Sequence, residues 1–125
     1  MVDDEASIGE LYEMKLRKPI QNGDIRFHFF ESANDYLDYL KQSDRHPGAE
    51  VLFTDINMPE VSGFELLSKV KKNFPDIDVY MMSAYDDESS IQKSKNLGAK
   101  GYFTKPVNYK ELQSRIESEY GVSLA

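Results

Sequence analysis

Cysteine is absent from the 125 residues of this chain. Thiol catalysis, disulfide cross-links and cysteine-ligated metals are therefore excluded. Histidine is scarce: His28 lies in a β-forming run and His46 in a polar loop, each isolated, so both read as structural or solvated rather than as ligands. No apolar stretch approaches the ~20 residues of a membrane span, and no basic, apolar, small-residue signal opens the chain. No membrane association is expected, and the cytoplasm is the default compartment. Positive charge is in deficit, with 15 Lys and Arg against 22 Asp and Glu. The resulting net charge of -7 disfavours nonspecific contact with nucleic acid or anionic lipid.

What is present is the composition of a soluble globular protein, 40% hydrophobic and 30% charged. At this length one domain, residues 1–125, buries about two-thirds of its unfolded surface. Repeats, low-complexity tracts and linkers are missing. Short apolar runs alternate with helical patterns. Met1-Val2 is an abrupt apolar start, and Ile8, Leu11, Tyr12, Lys15 and Leu16 then space as a helix ended by Lys18-Pro19 and Asn22-Gly23. Ile25–Phe30 reads as a strand. Ser32 caps a helix using Ala33, Tyr36, Leu37 and Leu40. His46-Pro47-Gly48 is a loop. Val51–Thr54, Val79–Met82 and Gly101–Thr104 are strands, separated by helices around Phe64–Phe74 and Glu88–Leu97, and Asn108 caps a last helix.

The pattern is (βα)5: an α/β three-layer sandwich with right-handed crossovers and a parallel sheet covered on both faces. For the commonest order of such a sheet, 2-1-3-4-5, the first strand is internal. Here it has two residues where strands usually have about 5–6, so it reads as truncated.

Parallel strands bring Asp3, Asp4, Asp55, Ser83 and Lys105 to one sheet edge, where open α/β sheets keep their reactive groups. Three carboxylates close together repel one another. A hard divalent cation relieves this, and oxygen donors suit Mg²⁺, with Mn²⁺ as a substitute. Asp55 can then attack phosphorus, Lys105 offers a compact positive charge to a phosphate oxygen, and the Ser83 hydroxyl can donate to another. The joint implication is phosphoryl transfer to Asp55.

Four motifs carry a resemblance: Val2-Asp3-Asp4-Glu5; Phe53-Thr54-Asp55-Ile56-Asn57-Met58-Pro59 with Gly63; Met82-Ser83-Ala84; and Gly101-Tyr102-Phe103-Thr104-Lys105-Pro106. In this order and spacing they closely resemble the receiver domains of two-component response regulators, the CheY-like superfamily with its flavodoxin-like fold, over essentially the whole chain. The resemblance implies that Asp55 is the phosphoacceptor, that Asp4 binds Mg²⁺ directly, that Asp3 acts through water and that Asn57 adds its backbone carbonyl. Lys105 bridges to the phosphate, before a Lys105-Pro106 bond of the kind that can be cis. Ser83 moves toward the phosphate and Tyr102 rotates behind it, switching the surface of the fourth helix, fifth strand and fifth helix. The implied donor is a histidine kinase or histidine phosphotransfer protein. The implied target is a downstream protein or effector domain, with a phosphorylation-dependent homodimer as a further form. Asn57 and Tyr85 stand at positions that vary among members and set phosphate lifetime.

Other readings compete. A Mg²⁺-dependent phosphatase or phosphomutase with an aspartyl nucleophile needs an acid two residues on, and Asn57 cannot serve there. The protein is therefore expected to be no enzyme beyond self-phosphorylation and slow dephosphorylation. A receiver-like interaction module independent of phosphorylation is the remaining alternative. Asp3-Asp4-Glu5 could also simply favour a helix N-terminus. The helix around Glu88–Leu97 has a thin apolar stripe, Ile91 and Leu97, and is expected to be the mobile half of a two-state switch. Ala99-Lys100 stands where the dimerising transcription-factor members carry an acidic pair, so their salt bridges are not expected. No DNA-binding segment is expected within these residues, which stop at Ala125.

Overall fold

The apolar run Val51–Asp55 forms β1 and Asp78–Ser83 forms β2, paired in parallel with Val51 opposite Asp78 and Asp55 opposite Met82. Gly101–Thr104 forms β3, parallel to β2, with Tyr80 opposite Gly101 and Ser83 opposite Thr104. The order is β1-β2-β3. This is a computed structural model, and it describes residues 1–42 and 49–125. The loop read at His46-Pro47-Gly48, with His46 itself, lies outside the described residues.

Among the described residues six helices accompany the strands: α1 (Ala6–Lys15), α2 (Arg17–Gln21), α3 (Ala33–Leu40), α4 (Gly63–Asn73), α5 (Glu88–Asn96) and α6 (Tyr109–Tyr120). Ser32 and Asn108 are N-caps, as expected: their side chains accept from the backbone N–H of Asp35 and Glu111. Ser62 and Asp87 cap α4 and α5 in the same way.

Side chains of β2 alternate across the sheet because successive residues of a strand point to opposite faces. Val79 and Met81 join Tyr36 and Leu40 of α3 and Leu66, Leu67 and Val70 of α4. Tyr80 and Met82 join Tyr12 of α1, Leu16, and Leu112 and Ile116 of α6. Helices thus cover both faces, which is why β2 is buried from Val79 to Ser83.

Two expectations are corrected. The first helix does not end at Lys18-Pro19. It breaks at Leu16, and α2 carries Pro19 in its first turn, where a missing N–H costs nothing. Ile25–Phe30 is not a ladder strand: only Phe30 forms a bridge, to Val2, which also bridges Thr54. A strand needs a row of partner groups, and Met1–Asp3 offers few. Among the described residues the sheet therefore has three regular strands, not five.

Candidate functional site

Asp55 ends β1 with a nearly buried side chain, and Asp3 is completely buried. The backbone holds them together: Val2 donates to the Phe53 carbonyl at 2.8 Å and Asp55 donates to the Val2 carbonyl at 2.9 Å. Asp4 is exposed. One carboxylate oxygen from each of Asp3, Asp4 and Asp55 falls within 4.8 Å of the others. Such a set of anionic oxygens fits a hard divalent cation.

Gly63 permits this geometry. Its N–H donates to the Ile56 carbonyl at 2.8 Å, and a Cβ on it would stand 2.2 Å from the Asp55 carbonyl oxygen. The first turn of α4 can press against the strand end only because that position has no side chain.

Lys105 follows β3 and reaches across the edge. Its ammonium lies 2.7 Å from Asp3 Oδ2 and 3.3 Å from Asp55 Oδ2. Its peptide bond to Pro106 is cis, as expected. Burial pulls the Lys105 pKa down, but the hydrogen bond to Asp3 and the charge of Asp55 outweigh it, and the net shift is upward. Burial raises the Asp55 pKa above the usual carboxylate range. Lys105 and a backbone hydrogen bond from Asn57 oppose that rise, while Asp3 adds to it.

Ser83 is buried at the end of β2, and its backbone carbonyl accepts from Lys105 N–H at 2.6 Å. Its Oγ accepts from Tyr85 N–H at 3.1 Å, and the Tyr85 carbonyl accepts from the Tyr102 hydroxyl. Sequence reasoning had named Ser83, Tyr85 and Tyr102 separately. The chain of bonds through the backbone of Tyr85 leaves no trace in residue identity. Thr54 was also missed as a site residue: its buried hydroxyl donates to the Asp55 carbonyl at 3.0 Å. A lone hydroxyl in an otherwise apolar strand was the available signal. Asp3 Oδ1 accepts from Glu5 N–H at 3.0 Å, but no side chain caps α1 and its first turn holds no acid, so the helix-start reading of this acidic run finds no support.

A family model for the response regulator receiver domain matches residues 1–117. The chain belongs to the response regulator receiver family. The receiver is 32% identical to the DNA-binding transcriptional regulator NtrC of Proteus hauseri, over 94% of this chain and 23% of that protein. It is 30% identical to the chemotaxis protein CheV2 of Helicobacter pylori, over 72% of this chain and 29% of that protein. It spans between about a quarter and a half of the curated relatives it matches. Among solved structures, the BeF3-activated DrrB receiver domain superposes with a TM-score of 0.77 at 26% identity, covering 94% of this chain and 91% of that one. A CheY-like receiver from Methanospirillum hungatei gives 0.79 at 25%, covering 94% and 88%.

The protein is thus a receiver module of a two-component phosphorelay, with the flavodoxin-like receiver fold. Receiver domains generally bind Mg²⁺ at an acidic pocket, and this chain has the acidic cluster. No helix among the described residues is long and apolar enough to cross a membrane.

The surface opposite the acids differs in detail from the acidic-pair pattern. Lys100 is exposed but paired, 3.2 Å from Asp78 and 3.4 Å from Glu119, and Tyr80 donates to the same Glu119. In α5 the one buried residue is Ser94, which donates to the Ser90 carbonyl. Its grip on the core is therefore thin.

Proposed function

We propose that Asp55 is the phosphoacceptor, taking a phosphoryl group from the phosphohistidine of a histidine kinase or phosphotransfer protein. The observation that supports this best is Lys105, whose ammonium bridges Asp3 and Asp55 within the group of three carboxylates. Asp4 and Asp55 would hold Mg²⁺ directly, with the Asn57 backbone carbonyl, and Asp3 through water. When bound, the cation supplies positive charge to the phosphoryl oxygens. An Asp55 carboxylate oxygen attacks phosphorus, the P–N bond of the donor breaks, and the imidazole departs with its electron pair. Lys105 exchanges part of its contact with the carboxylates for a phosphate oxygen. Ser83 turns its hydroxyl to another, which releases Tyr85 N–H and, through it, Tyr102. The thinly packed α5, with β3 and α6, would carry that change to a downstream partner.

Beyond self-phosphorylation and slow dephosphorylation we assign no catalysis. The unit is read as residues 1–125, since Leu124 is buried and its N–H donates to Glu117. The bridges of Val2 to Phe30 and Thr54 support the 2-1-3-4-5 strand order. A homodimer through α5, β3 and α6 would need contacts other than an acidic pair. We read the setting as cytoplasmic, where a histidine-kinase donor would meet this domain. Incubation with acetyl phosphate or phosphoramidate and Mg²⁺, followed by intact mass, tests the acceptor. An adduct of about 80 Da, absent from Asp55→Asn, is expected. No adduct with any donor would favour the phosphorylation-independent module.

A further inference from the structure

Gly63 fixes α4 to the strand end that carries Asp55: its N–H bonds the Ile56 carbonyl, and it presses on the Asp55 carbonyl. Phe64, the next residue, is thereby anchored to the site through backbone. Its half-buried ring meets α5. The Lys93 ammonium lies 4.4 Å from the ring centroid, inside the ~6 Å reach of a cation–π contact. Among the described residues no carboxylate pairs with that ammonium, so the ring is its partner.

Little else holds α5. Ser94 is its one buried residue, and that hydroxyl bonds the helix's own Ser90 carbonyl. The start of α5 is tied to the Ser83 loop instead. Asp87 caps the helix, and Tyr85, two residues earlier, bonds Ser83 Oγ through its N–H and the Tyr102 hydroxyl through its carbonyl. When Ser83 turns to a phosphate, this loop is released. α4 is not, because Gly63 joins it to the end of β1 by contacts that Ser83 does not share. The Phe64–Lys93 contact thus spans a fixed element and a movable one, and a shift of about 2 Å takes it out of range.

We propose that Phe64 and Lys93 form a clamp that holds α5 in its resting position and so sets how readily Asp55 is phosphorylated. The inference rests on the phosphoacceptor reading and deepens it. Both are positioning residues, since neither touches the phosphoryl group. A small phosphodonor captures molecules whose α5 has already moved, so its rate follows the population of that arrangement. A cation–π contact at an exposed site biases such an equilibrium by about two- to five-fold. Loss of the clamp therefore accelerates phosphorylation, whereas loss of a merely structural contact would leave the rate alone or lower it.

The test compares the whole wild-type chain with Lys93→Met, Lys93→Arg, Phe64→Leu and the double variant Phe64→Leu with Lys93→Met. Adduct formation from phosphoramidate and Mg²⁺ is followed by intact mass, and α5 amide exchange is measured before and after phosphorylation. Lys93→Met removes the charge and keeps an apolar stem at an exposed position, so folding is retained. It should form the adduct about two- to five-fold faster than wild type. Amide exchange from Ile91 to Leu97 should be faster than wild type before phosphorylation and equal to it afterwards. Lys93→Arg should restore the wild-type rate, because a guanidinium also sits on a ring face. Phe64→Leu should match Lys93→Met, and the double variant should add nothing further. An unchanged or slower rate in Lys93→Met, no rescue by arginine, or additive effects in the double variant would overturn the clamp. So would a faster rate without faster exchange in α5. A wild-type chain that forms no adduct defeats the phosphoacceptor reading and the clamp's role with it, whereas an adduct without these differences defeats the clamp alone.

Discussion

Gly63 abuts Asp55 so closely that a methyl group added to it would lie 2.2 Å from the Asp55 carbonyl oxygen. The contact is with backbone on the strand that carries the acid. Relief therefore has to move either α4 or the strand end.

Gly63→Ala is accordingly expected to destabilise the fold by about 1–3 kcal/mol, as overpacking does. It should also slow phosphorylation, although every acidic residue remains. Thermal unfolding and adduct formation from a small phosphodonor measure the two effects. A variant that keeps both the wild-type Tm and the wild-type rate would show that α4 yields freely.

Asp55→Asn tests the electrostatics of the buried acid. Burial raises its folded pKa above the unfolded value, so its ionised form is disfavoured in the folded state. Stability contributed by this group is present below the unfolded pKa and declines as pH rises through the folded one. The amide should therefore leave Tm unchanged or raise it by about 2–5 °C at neutral pH. The difference should shrink on acidification. A large loss of Tm at pH 7 would mean that the contact with Lys105 dominates the burial cost.

Lys105 pulls the Asp55 pKa down, against burial. With Lys105→Met the Asp55 pKa should rise further, and the acid limb of the phosphorylation rate should move to higher pH. The rate at the plateau should fall as well, since a phosphate contact is lost. A profile of unchanged shape, merely scaled down, would assign Lys105 to phosphate alone.

Tyr85 is 63% exposed, and its bonds to Ser83 and Tyr102 use only its backbone. Tyr85→Ala keeps both bonds and removes the ring. If the ring shields the acyl phosphate from water, dephosphorylation should accelerate several-fold with no change in Tm. An unchanged decay rate would end that idea.

Asp4 is exposed and Asp3 buried, and this sets apart two acids that are neighbours in sequence. Asp4→Ala should weaken Mg²⁺ binding in calorimetry with little effect on Tm. Asp3→Ala should lower Tm too, because it strips Lys105 of its 2.7 Å partner. Equal effects of the two substitutions on folding would contradict the burial difference.

Much of this protein is legible in its sequence. Strand-end residues Asp55, Ser83 and Lys105 declared themselves because apolar runs stop at a polar group, and period-2 and period-3.6 patterns are local properties of the chain. Ser32 and Asn108 as caps were equally local. The sequence also determined the donor set, since only oxygen ligands and one nearby amine stand at those ends. Tertiary structure decided what depends on distance between segments. It buried Asp3 and left Asp4 outside, laid Lys105 across two acids, and joined Ser83 to Tyr102 through the backbone of Tyr85. It also reduced the Ile25–Phe30 strand to a single bridge. Strand propensity belongs to a segment, whereas a ladder belongs to a pair, and only the fold shows whether the partner is there.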